Sequence, residues 1–184
     1  LEGIFDDGDT FLKWESTHKG EMTDHKSGHK DMVDAGNTPS YLIDGACNFD
    51  ICTSFTIARG GHLDATVLGA MQVDQEGNLA NWMVPGKMVS GMGGAMDLVA
   101  GTKKVIIATT LTASDGSPKL LKKCTLPLTA VNCVSCIVTE KCIAEIEDGK
   151  FVITALYPGV TREEVAGAIE GETVFKEKLA EMLA

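Results

Sequence analysis

Between Gly77 and Val99 the chain places two asparagine amides, Asn78 and Asn81, a Pro85-Gly86 turn and three closely spaced glycines, Gly91, Gly93 and Gly94, ahead of an apolar run. That run reads as a helix. A helix start leaves backbone N–H groups without intrahelical partners, and glycine lets a ligand approach them, so the pattern suits an anion or a developing oxyanion. A dinucleotide fingerprint would put a further glycine where Met96 stands and a long strand before the turn. A Walker loop would carry Gly-Lys-Ser/Thr, and this stretch has none. The residues leave open a thioester or carboxylate oxygen, a phosphate, or a tight turn that packs helix on strand.

Other chemistry-bearing residues are weaker. His25 and His29 stand four apart, with His18, Glu15, Glu21 and Asp24 nearby, and would bind zinc on a helix. Gly20, Ser27 and Gly28 argue against that helix, so a solvated polar loop without metal is expected. Cys133-Val-Ser-Cys136 has CxxC spacing but no second pair, and its apolar surroundings favour packing cysteines. Arg59-Gly60-Gly61-His62 is either a charged anchor beside a flexible turn or an ordinary loop. Trp82, alone in an apolar run, is expected to fill a core rather than stack on a base.

These residues must be positioned by elements that the pattern predicts. Residues 1–36 form an atypical polar segment, expected to be loop or partly disordered, and 37–184 a single α/β domain. Ser40–Ile43 is a short strand, and Ala65–Val73 a longer one broken by Gly69. Ala95–Ala100 is a short helix stopped by Gly101, and the β-branched run 104–110 is a strand covered on both faces. Cys142–Glu147 and Lys150–Leu156 flank Asp148-Gly149, the sequence of a type I′ hairpin. Thr161 and Glu164 have capping-box spacing before a helix carrying Val165, Ala166 and Ile169 on one face. Phe175, Leu179, Met182 and Leu183 recur at helical spacing, so the C-terminus is predicted helical. The fold class is α/β: an open, mixed, mostly parallel sheet with flanking helices.

The formal charge of −10 disfavours a nucleic-acid or anionic-membrane binder, both of which need a basic surface. The charge is uneven: residues 1–34 carry nine acidic and four basic side chains. Lys87, Lys103, Lys104, Lys119, Lys122 and Lys123, against Asp97 and Asp115, predict a local basic patch suited to a small anionic ligand. Six cysteines among mostly apolar neighbours suit a reducing, cytoplasmic compartment. No apolar run reaches the roughly 20 residues of a membrane span, so a soluble protein is expected.

A family resemblance sharpens this. Gly60-Gly61-His62-Leu63-Asp64, Val67 to Val73, Gly77 to Val89, Gly91 to Val99, Lys119 to Thr129, Ile137-Val138-Thr139-Glu140 and Tyr157-Pro158-Gly159-Val160-Thr161 together resemble the B-type (beta) subunits of 3-oxoacid (acetate/acetoacetate) coenzyme A-transferases. The likeness runs from about Asp31 to Gly167. It implies a chain that moves coenzyme A between a short acyl- or 3-oxoacyl-CoA and a carboxylate, in short-chain fatty acid and ketone body metabolism. CoA thioester is then a substrate, no cofactor is bound permanently, and the partner is the A-type (alpha) CoA-transferase subunit in a hetero-oligomer.

By the same resemblance a glutamate attacks the acyl-CoA, CoA returns to give a glutamyl-CoA thioester, and the acceptor carboxylate reverses both steps. Asn81, Lys87, Gly91, Gly93 and Gly94 are then the candidates for holding the acyl oxygen or CoA. The family sets its glutamate in Ser-Glu-Asn-Gly, where this chain reads Leu1-Glu2-Gly3-Ile4. With one residue dropped before the glycine, Glu2 is the nucleophile; with Gly3 aligned without a gap, the nucleophile is missing. The family also has an α/β segment upstream of that glutamate, so a chain truncated at its N-terminus is expected. The alternative reading is a catalytically silent chain that keeps only CoA or partner binding.

Overall fold

The computed structural model describes residues 29–33, 39–40, 49–86 and 93–182. In chain order the elements are β1 (His29–Val33), β2 (Pro39–Ser40), α1 (Ile51–Arg59), β3 (Ala65–Leu68), β4 (Gln72–Asp74), β5 (Leu79–Ala80), α2 (Ala95–Gly101) and β6 (Lys104–Ala108). There follow β7 (Leu120–Leu121), β8 (Val134–Val138), β9 (Cys142–Glu147), β10 (Lys150–Leu156), α3 (Arg162–Gly167) and β11 (Thr173–Glu181). The main sheet has six strands in the order β11-β10-β9-β8-β6-β3. Three of its five pairings, β10 with β11, β6 with β8 and β3 with β6, are parallel, so the sheet is mixed and mostly parallel as expected.

A second sheet of three strands, β5-β4-β7, stands beside it, and β1 pairs with β2 antiparallel. Val73, Leu79 and Leu120 of the small sheet join Val105, Ile107, Ile137, Ala144, Phe151 and Ile153 of the large one in a single core cluster. Val165 of α3, and Ile169 just beyond it, fill the same cluster, with Val99 of α2 packed against it. Burying each such side chain contributes about 1.5–3 kcal/mol.

The hairpin forms as its dipeptide demands. Asp148 and Gly149 both have positive φ, 50° and 71°, and Glu147 faces Lys150 across the turn. Positive φ at both central residues defines a type I′ turn, whose twist matches that of the strands. Thr161 caps α3 by accepting the Glu164 N–H at 3.2 Å, and the Thr161 backbone N–H in return favours the charged Glu164 carboxylate, as a capping box requires. The Glu164 carboxylate also meets the Lys141 ammonium at 2.6 Å, the larger of the two influences that hold it below its ordinary value. Ala166 is exposed rather than on the buried face.

Several expectations fail for physical reasons. The segment from Thr173 is a strand, not a helix: β11 lies parallel to β10 with Phe175 opposite Ile153, and sheet pairing outweighs the helical propensity of its Lys, Glu and Leu residues. Strand β6 alternates, with Val105 and Ile107 buried, Ile106 half-buried and Lys104 and Ala108 exposed, so it is not covered equally on both faces. The run 65–73 divides at Gly69 into β3 and β4, which belong to different sheets. Residues 29–33, expected as loop, form β1. Gly101 is the last residue of α2 rather than a stop signal. A Cβ there would sit 2.0 Å from the Ala58 carbonyl oxygen, so close contact between α1 and α2 requires glycine. The same two helices are tied by Arg59 and Asp97 at 2.5 Å.

Candidate functional site

Strands β3, β6 and β8 run parallel, so their carboxyl ends share one edge, the place where open α/β sheets bind ligands. The segments leaving that edge are sewn together by side chains. The Thr109 hydroxyl, just past β6, donates to the Ala70 carbonyl, just past β3, at 3.1 Å. Lys119, just before β7, donates from Nζ to the Thr109 Oγ1 at 2.9 Å. Glu140, two residues past β8, accepts the Leu111 N–H at 2.9 Å. A cavity of about 320 Å3 opens beside these segments, walled by Ala70, Met71, Val84, Pro118, Lys119 and Leu126 among others.

Asn81 belongs to the same edge. Its Nδ2 donates to the Gly69 carbonyl at 3.0 Å, and its Oδ1 accepts the Thr129 hydroxyl at 2.6 Å. Both ends of the amide are therefore engaged, leaving one N–H of Nδ2 for anything else. Gly93, at φ 59° and exposed, and Gly94, the N-cap of α2, form the turn into that helix. Since α2 feeds the amino end of β6 and packs on β3, it runs counter to both strands, and its start points toward their carboxyl ends. Gly94 rests on the Phe55 ring, 3.1 Å from where a Cβ would stand.

Glu2, Lys87 and Gly91 lie outside the described residues, as do His18 and His25. The backbone of His29 is in β1, and a strand breaks the helical spacing that a His25–His29 metal pair requires. Among the described residues no group of three or more His, Cys, Asp or Glu side chains is placed to hold a metal ion. The basic patch divides: Lys103 and Lys104 sit at the amino end of β6, Lys103 paired with Asp64 at 2.5 Å. Lys119 is at the opposite end, about 16 Å away for five residues of strand.

Cys124, Cys133, Cys136 and Cys142 are packing groups, while Cys52 is exposed. Burial pushes the thiols of Cys133, Cys136 and Cys142 above their ordinary values. Cys124 is pushed up to about 12, by burial first and then by the neighbouring charge of Asp74. None is therefore an activated nucleophile. Trp82 is partly buried and its indole N–H donates to the Leu128 carbonyl at 3.3 Å, in keeping with a packing role. Arg59 serves the α1–α2 contact rather than the sheet edge.

Sequence reasoning missed Asp74, Thr109, Lys119 and Thr129 as individual contributors. Buried Asp74 accepts N–H bonds from Glu76, Asn78 and Cys124 at 3.1 Å each and from the Asn78 amide at 3.0 Å. Asn78 in turn accepts the Asn132 N–H at 3.0 Å. An aspartate followed four residues later by asparagine in a Gly-containing turn is the available signal.

The coenzyme A transferase family model matches residues 28–168. The chain is 55% identical over 131 residues to the beta subunit of the acetate CoA-transferase of Escherichia coli K12, covering 71% of this chain and 61% of that protein. It is 42% identical over 142 residues to the B-type subunit of the probable succinyl-CoA:3-ketoacid coenzyme A transferase of Bacillus subtilis 168, covering 77% of this chain and 66% of that one. It thus spans under two thirds of either relative. An acyl-CoA transferase crystal structure from Escherichia coli O157:H7 superimposes with a TM-score of 0.68 at 22% identity, over 82% of this chain and 33% of that one, and shows the same fold. From the family match and these identities, the chain belongs to the coenzyme A transferase family.

Proposed function

We propose that the chain is the beta-type subunit of a cytoplasmic CoA-transferase that exchanges coenzyme A between a short acyl- or 3-oxoacyl-CoA and a free carboxylate, working with an alpha-type partner. The observation that carries this reading is the match to the coenzyme A transferase family over residues 28–168, supported by the hydrogen-bonded segments of Asn81, Gly69 and Thr129 and by the Lys119-lined cavity beside the sheet edge. Acyl transfer between a thioester and a carboxylate needs donors for an oxyanion, room for a small acid, and a nucleophile.

The nucleophile is Glu2. Its carboxylate attacks the thioester carbonyl, the C–S bond breaks and the CoA thiolate leaves, giving an acyl-glutamyl anhydride. The thiolate then attacks the glutamyl carbonyl, releasing the first carboxylate and leaving glutamyl-CoA. The acceptor carboxylate runs both steps backward. Each tetrahedral intermediate carries an oxyanion, a role assigned to the Gly93 and Gly94 N–H groups in the turn that leads into α2. Asn81 acts chiefly by position: through Gly69 and Thr129 it holds the segment between β3 and β4 against β5. Gly91 and Lys87 adjoin the glycine turn in sequence and are assigned to the CoA side of the site. Donors aimed at such an oxyanion contribute about 3–4 kcal/mol to the rate.

Trapping tests the nucleophile. In the assembled complex, acyl-CoA followed by borohydride should reduce the thioester at Glu2 to an alcohol, seen by peptide mass. A complex that turns over while Glu2 stays unmodified removes Glu2 from this role.

A further inference from the structure

Past Ala108 and Val138 the strands β6 and β8 stop pairing, yet a side chain still ties the two exits together. Among the described residues the last main-chain bond between them runs from the Thr109 N–H to the Val138 carbonyl at 3.1 Å. Beyond it the chain turns from β8 toward β9. That turn is braced by buried Thr139, whose hydroxyl oxygen accepts the Cys142 N–H at 2.9 Å and the Lys141 N–H at 3.2 Å. Glu140 stands inside it, and its Oε2 accepts the Leu111 N–H at 2.9 Å. A carboxylate thus supplies the acceptor that the diverging backbone no longer can.

What Glu140 holds is the root of a small hairpin. Leu111 is fully buried, its carbonyl accepts the Lys119 N–H at 3.2 Å, Thr112 bridges Pro118, and the Ala113 N–H reaches the Ser117 carbonyl at 2.8 Å. Ala113, Ser117, Pro118 and Lys119 of this hairpin line the cavity at the sheet edge, together with Ala70 and Met71 from the β3 exit. Just before the root, the Thr109 hydroxyl donates to the Ala70 carbonyl at 3.1 Å. The hairpin is therefore fixed to the β3 exit through Thr109 and to the β8 exit through Leu111. Removing the carboxylate leaves a buried N–H without its acceptor at the root.

We propose that Glu140 is a positioning residue for the transfer reaction: through Leu111 it holds the hairpin 111–119, and with it one wall of the cavity, in place while the acyl group changes hands. The proposal rests on the CoA-transferase reading and adds a residue to it. Glu140 acts as an acceptor and takes no part in bond making, so the role needs one oxygen at hydrogen-bond distance from Leu111 rather than a charge.

The test is exchange of label between acetate and acetyl-CoA in the assembled complex. Glu140→Ala should lower kcat about tenfold or more and leave KM for acetyl-CoA within about twofold, because a displaced wall disturbs the alignment of the reacting groups. Glu140→Gln keeps an acceptor oxygen, and at this exposed residue its amide N–H groups reach water, so kcat should stay within about threefold of wild type. Ser135→Ala is the control for lost stability. The Ser135 Oγ accepts the Val105 N–H at 3.3 Å, a bond of the same kind between the same two strands at their amino ends, and its loss should leave kcat unchanged. Hydrogen exchange reads the strut itself: the Leu111, Ala113 and Lys119 amides should exchange about tenfold faster in Glu140→Ala than in wild type or Glu140→Gln, while Phe151 and Ile153 stay protected.

Wild-type kcat in Glu140→Ala overturns the proposal. So does a Glu140→Gln variant as impaired as Glu140→Ala, which would give the role to the charge, or an equal loss in Ser135→Ala, which would make the effect one of stability. If the wild-type complex transfers no CoA, while the Leu111 amide is released in Glu140→Ala and held in Glu140→Gln, the transferase reading fails and the proposal is upheld for the cavity wall alone. If wild type transfers CoA and every variant matches it, the transferase reading stands and the role of Glu140 fails.

Discussion

Around β9, β10 and α3 the chain is held by buried hydrocarbon: Phe151, Ile153, Ala144 and Val165 touch in one cluster, and the backbone is satisfied by strand ladders. Around β4, β5 and β7 the strands are only two or three residues long, and buried side-chain oxygens do the holding. Asp74 gathers N–H groups from the turn and from Cys124, Asn78 reaches Asn132, and Asn81 reaches Gly69 and Thr129. The first region is held by non-directional contacts among close-packed side chains. The second depends on angle and distance at each polar atom, which is what a site for small anions requires.

The contrast predicts different responses to substitution. Phe151→Ala, which empties a fully buried ring position, should cost about 3–5 kcal/mol and lower the urea midpoint of the whole chain. Asp74→Asn turns one of two acceptor oxygens into a donor that faces other N–H groups, and should cost about 2–3 kcal/mol. Its loss should appear first as faster amide exchange at Glu76, Asn78 and Cys124 while β9 and β10 stay protected. Uniform loss of protection in both regions would erase the distinction.

Next in size is a pH effect. The folded-state pKa of Cys124 is raised, so the stability it contributes is complete below the unfolded value of 9.0 and is lost as pH rises toward about 12. Denaturant midpoints should fall over that window and fall less in Cys124→Ser. At pH 8 iodoacetamide should label exposed Cys52 in the native chain and reach Cys124 only after unfolding. Smallest is the cap: Thr161→Ala should cost about 1 kcal/mol, read by thermal melting, because one N–H bond at the start of α3 is lost.

The same division separates what can be read from the sequence from what cannot. Asp148-Gly149 and Thr161 act through neighbours a few residues away, so their roles are local and legible. The last strand reads as a helix because Phe175 and Leu179 have helical spacing, whereas β11 is decided by pairing with β10 about twenty residues earlier. In the sequence Lys119 is one member of a lysine patch; the fold puts Lys103 and Lys104 at the far end of β6 and leaves Lys119 beside Thr109. Asn81 stands out in the sequence through its motif. Its partners, Gly69 and Thr129, lie 12 and 48 residues away and are visible only in three dimensions.

The central claim is that this chain, with an alpha-type partner, transfers coenzyme A. Exchange of isotope between labelled acetate and acetyl-CoA in the assembled complex tests it most directly. The account predicts steady incorporation of label into acetyl-CoA, abolished in Glu2→Ala; a complex that forms and binds CoA without exchanging label would contradict it.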